Sequence, residues 1–349
     1  MNYNLLGNTG VLVSELCLGT MTFGGSGYWQ AIGQLQQEAA NDILKTAFDG
    51  GINFIDTANV YSWGQSESLL GQGLKNLGLP REELIIATKV RAKMAEGKNR
   101  LGLSRLHIME QVEASLKRLQ TNHIDLYQIH GFDPVTPLEE TMRGLEDVVR
   151  SGKVRYIGCS NLAAWQVMKA NGIAERQGWG RFVSTQSYYS IAGRDLENDL
   201  VPMAKDQQMG ILPWSPLAGG FLSGKFTREN QPDDDSRRLN FDFPPIDKEF
   251  AYDIIAVMQE VANETGGTVA QVALKWLLQK PQVTSVIIGA KNTTQLTDNL
   301  NATELTLTDE QMTRLDDASA RPKPYPQWMI ERQGGDRLGV STWAVPAQK

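Results

Sequence analysis

Histidine is scarce: His107, His123 and His130 are the only three in 349 residues. Zinc and iron sites usually draw on several His or Cys ligands. The cysteines add little, because Cys17 and Cys159 are alone and form no CxxC pair. A transition-metal centre and a disulfide framework are therefore not expected. Positive charge is also short, with 34 Lys and Arg against 40 Asp and Glu and a net charge of −6, the wrong balance for a nucleic-acid binder. No apolar run reaches the roughly 18 residues of a membrane span. The opening residues, MNYNLLGNTG, lack the basic start and apolar core of a signal peptide. A cytoplasmic chain with neither nucleic acid nor membrane as partner is the expectation, with homo-oligomerisation left open.

What the chain does have is a rhythm. A hairpin is expected first, with strands over 3–6 and 11–13 about the turn Gly7-Asn8-Thr9-Gly10. Eight short apolar runs follow, beginning near Leu16, Asn53, Leu84, Ile124, Val154, Phe182, Ile211 and Thr284. Six of the seven gaps between them are 28 to 40 residues, the length of one strand plus one helix. The segments between read as helices. Residues 106–119 carry Ile108, Val112, Leu116 and Leu119 at helical spacing, and 271–278 (QVALKWLL) is strongly apolar. Thr136-Pro137-Leu138-Glu139 spells a capping box with Pro at the first helical position.

Short, continuously apolar strands flanked by helices imply a parallel sheet buried on both faces. Eight such units predict an α/β fold, a closed (β/α)8 TIM barrel with an N-terminal β-hairpin and extra C-terminal helices. The residues after the first barrel strand, Gly19 to Gly25 (GTMTFGG), do not make the GxGxxG turn that an open dinucleotide-binding sheet needs. One domain over 1–349 is expected, with its excess length in a loop over about 218–246 and a tail over about 321–349. The remaining gap, of 73 residues, follows strand seven. It puts the loop on the barrel's C-terminal face, where a lid over an active site would sit.

Polar residues that end barrel strands open onto that face. Asp56 ends strand two, Lys89 strand three and His130 strand four, with Tyr61 five residues beyond Asp56. Alone, each would ordinarily be structural; together their chemistries complement one another. A tyrosine is a poor acid at neutral pH, an adjacent ammonium favours its ionised form, and a buried ammonium needs a counter-ion such as Asp56. A neutral imidazole orients the substrate oxygen. The set is a proton donor aimed at a carbonyl oxygen, which is what a hydride-transfer reductase needs beyond its cofactor.

The stretch 53–71 (NFIDTANVYSWGQSESLLG) resembles the signature of the aldo-keto reductases, with Asp56 and Tyr61 at the family's spacing. Residues 86–90 (IATKV), 124–130 (IDLYQIH) and 133–161 resemble the segments around the family's lysine, its histidine and the strand that follows. The likeness runs in order from the hairpin to about residue 320. It implies reduction of a small-molecule carbonyl with NADPH (NADP) as cofactor, Asp56, Tyr61, Lys89 and His130 being catalytic. It also implies cofactor contacts from Thr20, Met21 and Asp56, and from Ser160, Asn161 and Gln186 at the carboxamide of the nicotinamide. Trp214 would stack on the nicotinamide ring. Ser215, Pro216, Leu217, Ala218, Gly219 and Gly220 would wrap the pyrophosphate with Lys225 as its cation. Gly289, Lys291, Gln295, Asp298 and Asn299 would form the adenosine pocket, Lys291 beside a helix N-terminus favouring a 2′-phosphate. Tyr28, Trp29, Trp63 and Trp328 are the candidate substrate pocket. The chain is also similar to potassium-channel β subunits near Trp214–Gly220, so a cofactor-sensing binding protein with weak reductase activity is the rival reading; His130 stands where that group carries Asn.

Two decoys fall away. Residues 219–225 (GGFLSGK) match the glycine-lysine core of a P-loop, but Phe226 follows where Ser or Thr is needed. The acidic run Asp233–Asp235 is followed by Arg237 and Arg238 and reads as a solvated loop.

Overall fold

The computed structural model describes residues 1–230, 232, 238 and 241–338. Asp233–Asp235, Arg237 and residues 339–349 of the tail lie outside the described residues. A two-stranded antiparallel hairpin, β1 (Tyr3–Leu5) and β2 (Leu12–Ser14), comes first. Eight parallel strands follow: β3 (Leu16–Gly19), β4 (Phe54–Asp56), β5 (Ile85–Val90), β6 (Ile124–Ile129), β7 (Val154–Ser160), β8 (Phe182–Tyr188), β9 (Gly210–Trp214) and β10 (Val286–Ile288). They pair in sequence order, and β10 pairs with β3. A bridge between Ile211 and Val283, with the Thr284 amide donating to Ile211 O at 2.9 Å, brings β9 and β10 together and completes the (β/α)8 barrel.

The helices surround it: α1 (Gln37–Asp49), α2 (Gln65–Leu77), α3 (Arg105–Leu119), α4 (Leu138–Arg150), α5 (Ala164–Gln177), α6 (Leu200–Asp206), α7 (Lys248–Thr265) and α8 (Val269–Leu278). Three more lie beyond the last strands, α9 (Thr293–Asn301), α10 (Asp309–Ala318) and α11 (Gln327–Leu338). No helix among the described residues is long and apolar enough to cross a membrane. The capping box expected at α4 does not form. Pro137 takes the N-cap place without a side-chain bond, and the Thr136 hydroxyl donates to Asp133 Oδ2 at 2.7 Å instead. That carboxylate also accepts the Leu103 amide at 2.7 Å, so it out-competes the helix for the hydroxyl.

Two apolar cores follow from strand alternation. The larger fills the space between barrel and helices. The smaller is the barrel interior, where Cys17, Phe54, Ala87, Leu126, Val183, Leu212 and Ile287 meet. Leu6 and Val13, either side of the hairpin turn, join this inner cluster and are fully buried. The hairpin is thus a plug for the barrel's lower end.

Candidate active site

Side chains on one face of a strand recur every second residue. Two residues beyond the inner apolar layer come Gly19, Asp56, Lys89, Gln128, Trp214 and Gly289. Sheet register sets Lys89 beside Gln128 and Ser160 beside Gln186. Polar groups therefore replace hydrocarbon where the barrel opens.

Lys89 is fully buried, and its ammonium uses all three hydrogens. It donates to Asp56 Oδ1 at 2.5 Å, Thr57 O at 2.8 Å and Tyr61 Oη at 3.2 Å. Burial opposes the charge, but the Asp56 carboxylate and Tyr61 outweigh it and hold the lysine pKa above its ordinary value. Asp56 Oδ2 accepts two amides, Gln128 Nε2 at 3.0 Å and Gln186 Nε2 at 2.9 Å. A buried ion pair is stable only when its remaining hydrogen-bond capacity is met, and here it is met.

Tyr61 arrives on a strained turn. Ser62 (φ 48°) and Trp63 (φ 57°) are both left-handed, each costing of order 1–2 kcal/mol for a residue with a Cβ. Neighbours hold the turn in place. The Ser62 hydroxyl donates to Phe23 O at 3.2 Å, and Arg118 packs so closely on Gly64 that a Cβ there would meet its side chain at 2.6 Å. Arg118 is fixed in turn by fully buried Glu67 at 2.6 Å. The Tyr61 ring stands edge-on between Trp29 (5.6 Å) and His130 (5.7 Å). Burial, then the charges of Lys89 and Arg91, push the His130 pKa down to about 3. The imidazole is neutral near pH 7, with one donor and one acceptor nitrogen.

These groups face a cavity of about 1050 Å³, at the upper end of the ~300–1,000 Å³ usual for a small-molecule site. Every residue the sequence assigned to a cofactor lines it except Thr20 and Ala218. Thr20 is turned behind the wall, with its hydroxyl on Asp56 O at 3.2 Å and Ser66 Oγ at 2.9 Å. Ala218 is fully buried, and its carbonyl accepts from Arg238 at 3.1 Å. Lys89 likewise acts from behind Tyr61.

Of the four residues expected at a substrate pocket, Tyr28 and Trp29 line the cavity; Trp63 and Trp328 do not. The left-handed backbone at Trp63 turns its ring outward, 56% exposed. Trp328 packs on Tyr325, on a helix tied by Gln327 to Asn198 O and Asp199 Oδ1. Phe241 and Phe243 line the cavity as well. They extend a series of rings, Tyr61–Trp29–Tyr28–Phe241–Phe243–Trp214, T-shaped up to Phe241, tilted to Phe243 and stacked onto Trp214, with every centroid spacing between 5.5 and 5.7 Å. Buried Arg238, donating to Ala218 O and Pro244 O, pins this loop down. Both phenylalanines sit in a polar, aperiodic stretch; the one available signal was the pair of rings themselves.

The opposite wall offers polar groups and open backbone to the cavity. Ser160 Oγ is buried there without a hydrogen-bond partner. A Cβ on Gly220 or Gly289 would meet nothing within 4 Å, so the backbone lies open to the cavity. Trp214 Nε1 donates to Asn161 Oδ1 at 3.0 Å, and Asn161 Nδ2 to His130 O at 3.3 Å, linking three strand ends. At the start of α9, Asn292 caps the Gln295 amide at 2.9 Å and Gln295 Oε1 accepts the Lys291 amide at 3.0 Å. Asp298 is occupied by Gln271 Nε2 at 2.7 Å and the Thr268 hydroxyl at 3.3 Å.

Comparison with known proteins agrees with this architecture. The model of the Aldo/keto reductase family matches residues 15–320. "Uncharacterized oxidoreductase YrpG" of Bacillus subtilis is 39% identical over 330 residues, covering 92% of this chain and 97% of that protein. "Versiconal hemiacetal acetate reductase" of Aspergillus parasiticus is 35% identical over 335 residues, 91% and 96% of the two chains. "Probable voltage-gated potassium channel subunit beta" of Arabidopsis thaliana is 35% identical over 310 residues, 87% and 92%.

Proposed function

The chain belongs to the aldo/keto reductase family and is an oxidoreductase, and from that premise we propose that it reduces aldehydes or ketones to alcohols with NADPH, Tyr61 serving as general acid. The observation that carries this reading is the Lys89 ammonium, bonded at once to Asp56 and to the Tyr61 hydroxyl beneath the cavity.

When bound, the cofactor supplies the hydride that adds to the carbonyl carbon. The chain's residues do the rest. The Tyr61 oxygen accepts from Lys89, so charge that builds on it as its proton leaves is met by an ammonium already in place. The proton passes to the carbonyl oxygen, giving the alcohol, and Tyr61 regains it from solvent. Asp56 keeps Lys89 charged; neutral His130 donates an N–H that orients the carbonyl. Ser160, Asn161 and Gln186 would hold the nicotinamide end and Lys291 a 2′-phosphate at the start of α9, which favours NADPH over NADH. The ring series from Trp29 to Phe243 offers aromatic faces to a substrate, which suits apolar and aromatic carbonyls.

The test is Tyr61→Phe. Cofactor binding, read by quenching of tryptophan fluorescence, stays normal, while turnover falls by at least about 10²-fold, the scale of a lost general acid. Near-normal turnover refutes the mechanism. Wild-type protein that binds NADPH yet reduces none of a panel of simple aldehydes would instead be a cofactor-sensing binding protein.

A further inference from the structure

A carboxylate sealed inside a barrel needs several donors, because its two oxygens present about four acceptor sites. Asp56 is 2% exposed. Lys89 serves one oxygen and two amides serve the other. Gln186 Nε2 also lies 3.3 Å from Gln128 Oε1, so the amides fix each other's orientation: turning Gln128 over would set its carbonyl against the carboxylate. Gln186 reaches the cavity wall, whereas Gln128 is fully buried and lines none of it. In the sequence Gln128 is one residue within an otherwise largely apolar strand.

We propose that Gln128 is a positioning residue for the reaction: its amide keeps the Asp56 carboxylate aimed at Lys89, and thereby keeps the ammonium against the Tyr61 oxygen. The proposal rests on Tyr61 being the proton donor. Without the amide, the second oxygen keeps only Gln186 and the carboxylate can turn about its bond to Cβ. The first oxygen then no longer holds the ammonium 3.2 Å from the Tyr61 oxygen, so charge developing there is met less well. Two donors on the second oxygen fix the carboxylate plane and prevent that turn. Two other ionisable groups near this cluster carry no charge near pH 7. Burial, then Asp56, raise the Cys17 thiol on β3 well above its usual range, and His130, just past β6, is neutral down to about pH 3.

Two variants test it. Gln128→Met preserves length and removes the amide. Its circular dichroism and cofactor affinity match wild type, kcat drops at least about tenfold, and KM changes less than about twofold. The alkaline limb of its kcat profile moves up by about half a pH unit or more, because the ammonium is held less closely against the tyrosine. Gln128→Glu introduces an acid that donates to Asp56 only while protonated. Its activity approaches wild type near about pH 5 and is lost by about pH 8, an ionisation the wild type lacks. A folded Gln128→Met with wild-type kcat and pH profile, or with its loss confined to KM, overturns the proposal. So does a Gln128→Glu profile parallel to wild type, which decides the matter if Gln128→Met fails to fold. Either result together with an inactive Tyr61→Phe overturns only the role of Gln128; an active Tyr61→Phe overturns the proton-donor reading beneath it.

Discussion

Replacing Lys89 by methionine separates its two jobs, holding Asp56 and helping Tyr61. Its Nζ lies 3.2 Å from the Tyr61 oxygen; with an effective dielectric constant of about 20, a full negative charge there would be stabilised by about 5 kcal/mol. If the proton is about half transferred when the barrier is crossed, about half of that is realised, or roughly a 10²-fold loss of kcat. The same change strands the buried Asp56 carboxylate without its cation, a loss of about 3–5 kcal/mol in stability. The double variant Asp56→Asn, Lys89→Met removes both charges. Urea unfolding should show most of the lost stability returning, while consumption of the reduced cofactor stays as slow as in Lys89→Met. Recovery of turnover along with stability would refute the reasoning, since Lys89 would then be only a structural partner of Asp56.

Other outcomes follow from the same geometry. Because the His130 pKa is depressed to about 3 from an unfolded value of 6.5, the unfolded chain binds the extra proton between those values. Stability is therefore complete above about pH 6.5 and declines as pH falls toward 3; in His130→Gln, denaturant midpoints across that window fall less steeply. In Gly71→Ala the new Cβ would lie 2.5 Å from the Leu119 carbonyl atoms, forcing α2 off α3 and lowering unfolding free energy by about 1–3 kcal/mol in urea titrations. Phe241→Ala with Phe243→Ala removes one side of the ring series. It raises KM for an aryl aldehyde by about tenfold, the worth of one partly buried ring, and leaves KM for a short aliphatic aldehyde little changed; equal effects on both refute the assignment of that wall.

Much of this protein is legible in one dimension, for identifiable reasons. The barrel strands announce themselves because a strand buried on both faces is apolar along its length, and the regular spacing of their starts reflects the helix that each crossover needs. Asp56, Lys89 and His130 stand out as polar residues at the ends of such runs, and Tyr61 stands out by its distance from Asp56. Gln128 was hidden by the same logic. It precedes Ile129 inside the strand, and only the alternation carried from Ala87 to Lys89 and across the register to Leu126 and Gln128 shows that it points inward. That Trp63 lies away from the cavity was not legible, because spacing says nothing about a left-handed turn that reverses a side chain. The Thr136 cap failed because a carboxylate from the same loop offered its hydroxyl a better partner.

The sequence by itself determined the (β/α)8 architecture and picked out four polar groups that meet at one end of the barrel, since these depend on periodicity and on which residues end each strand. The tertiary structure alone decided how those groups share protons. The three bonds of Lys89, the amide pair on Asp56 and the wall formed by Phe241 and Phe243 join residues 28 to 213 positions apart. Contacts of that separation arise only when the barrel closes, and the low dielectric inside it is what turns an aspartate, a lysine and two glutamines into one charged unit.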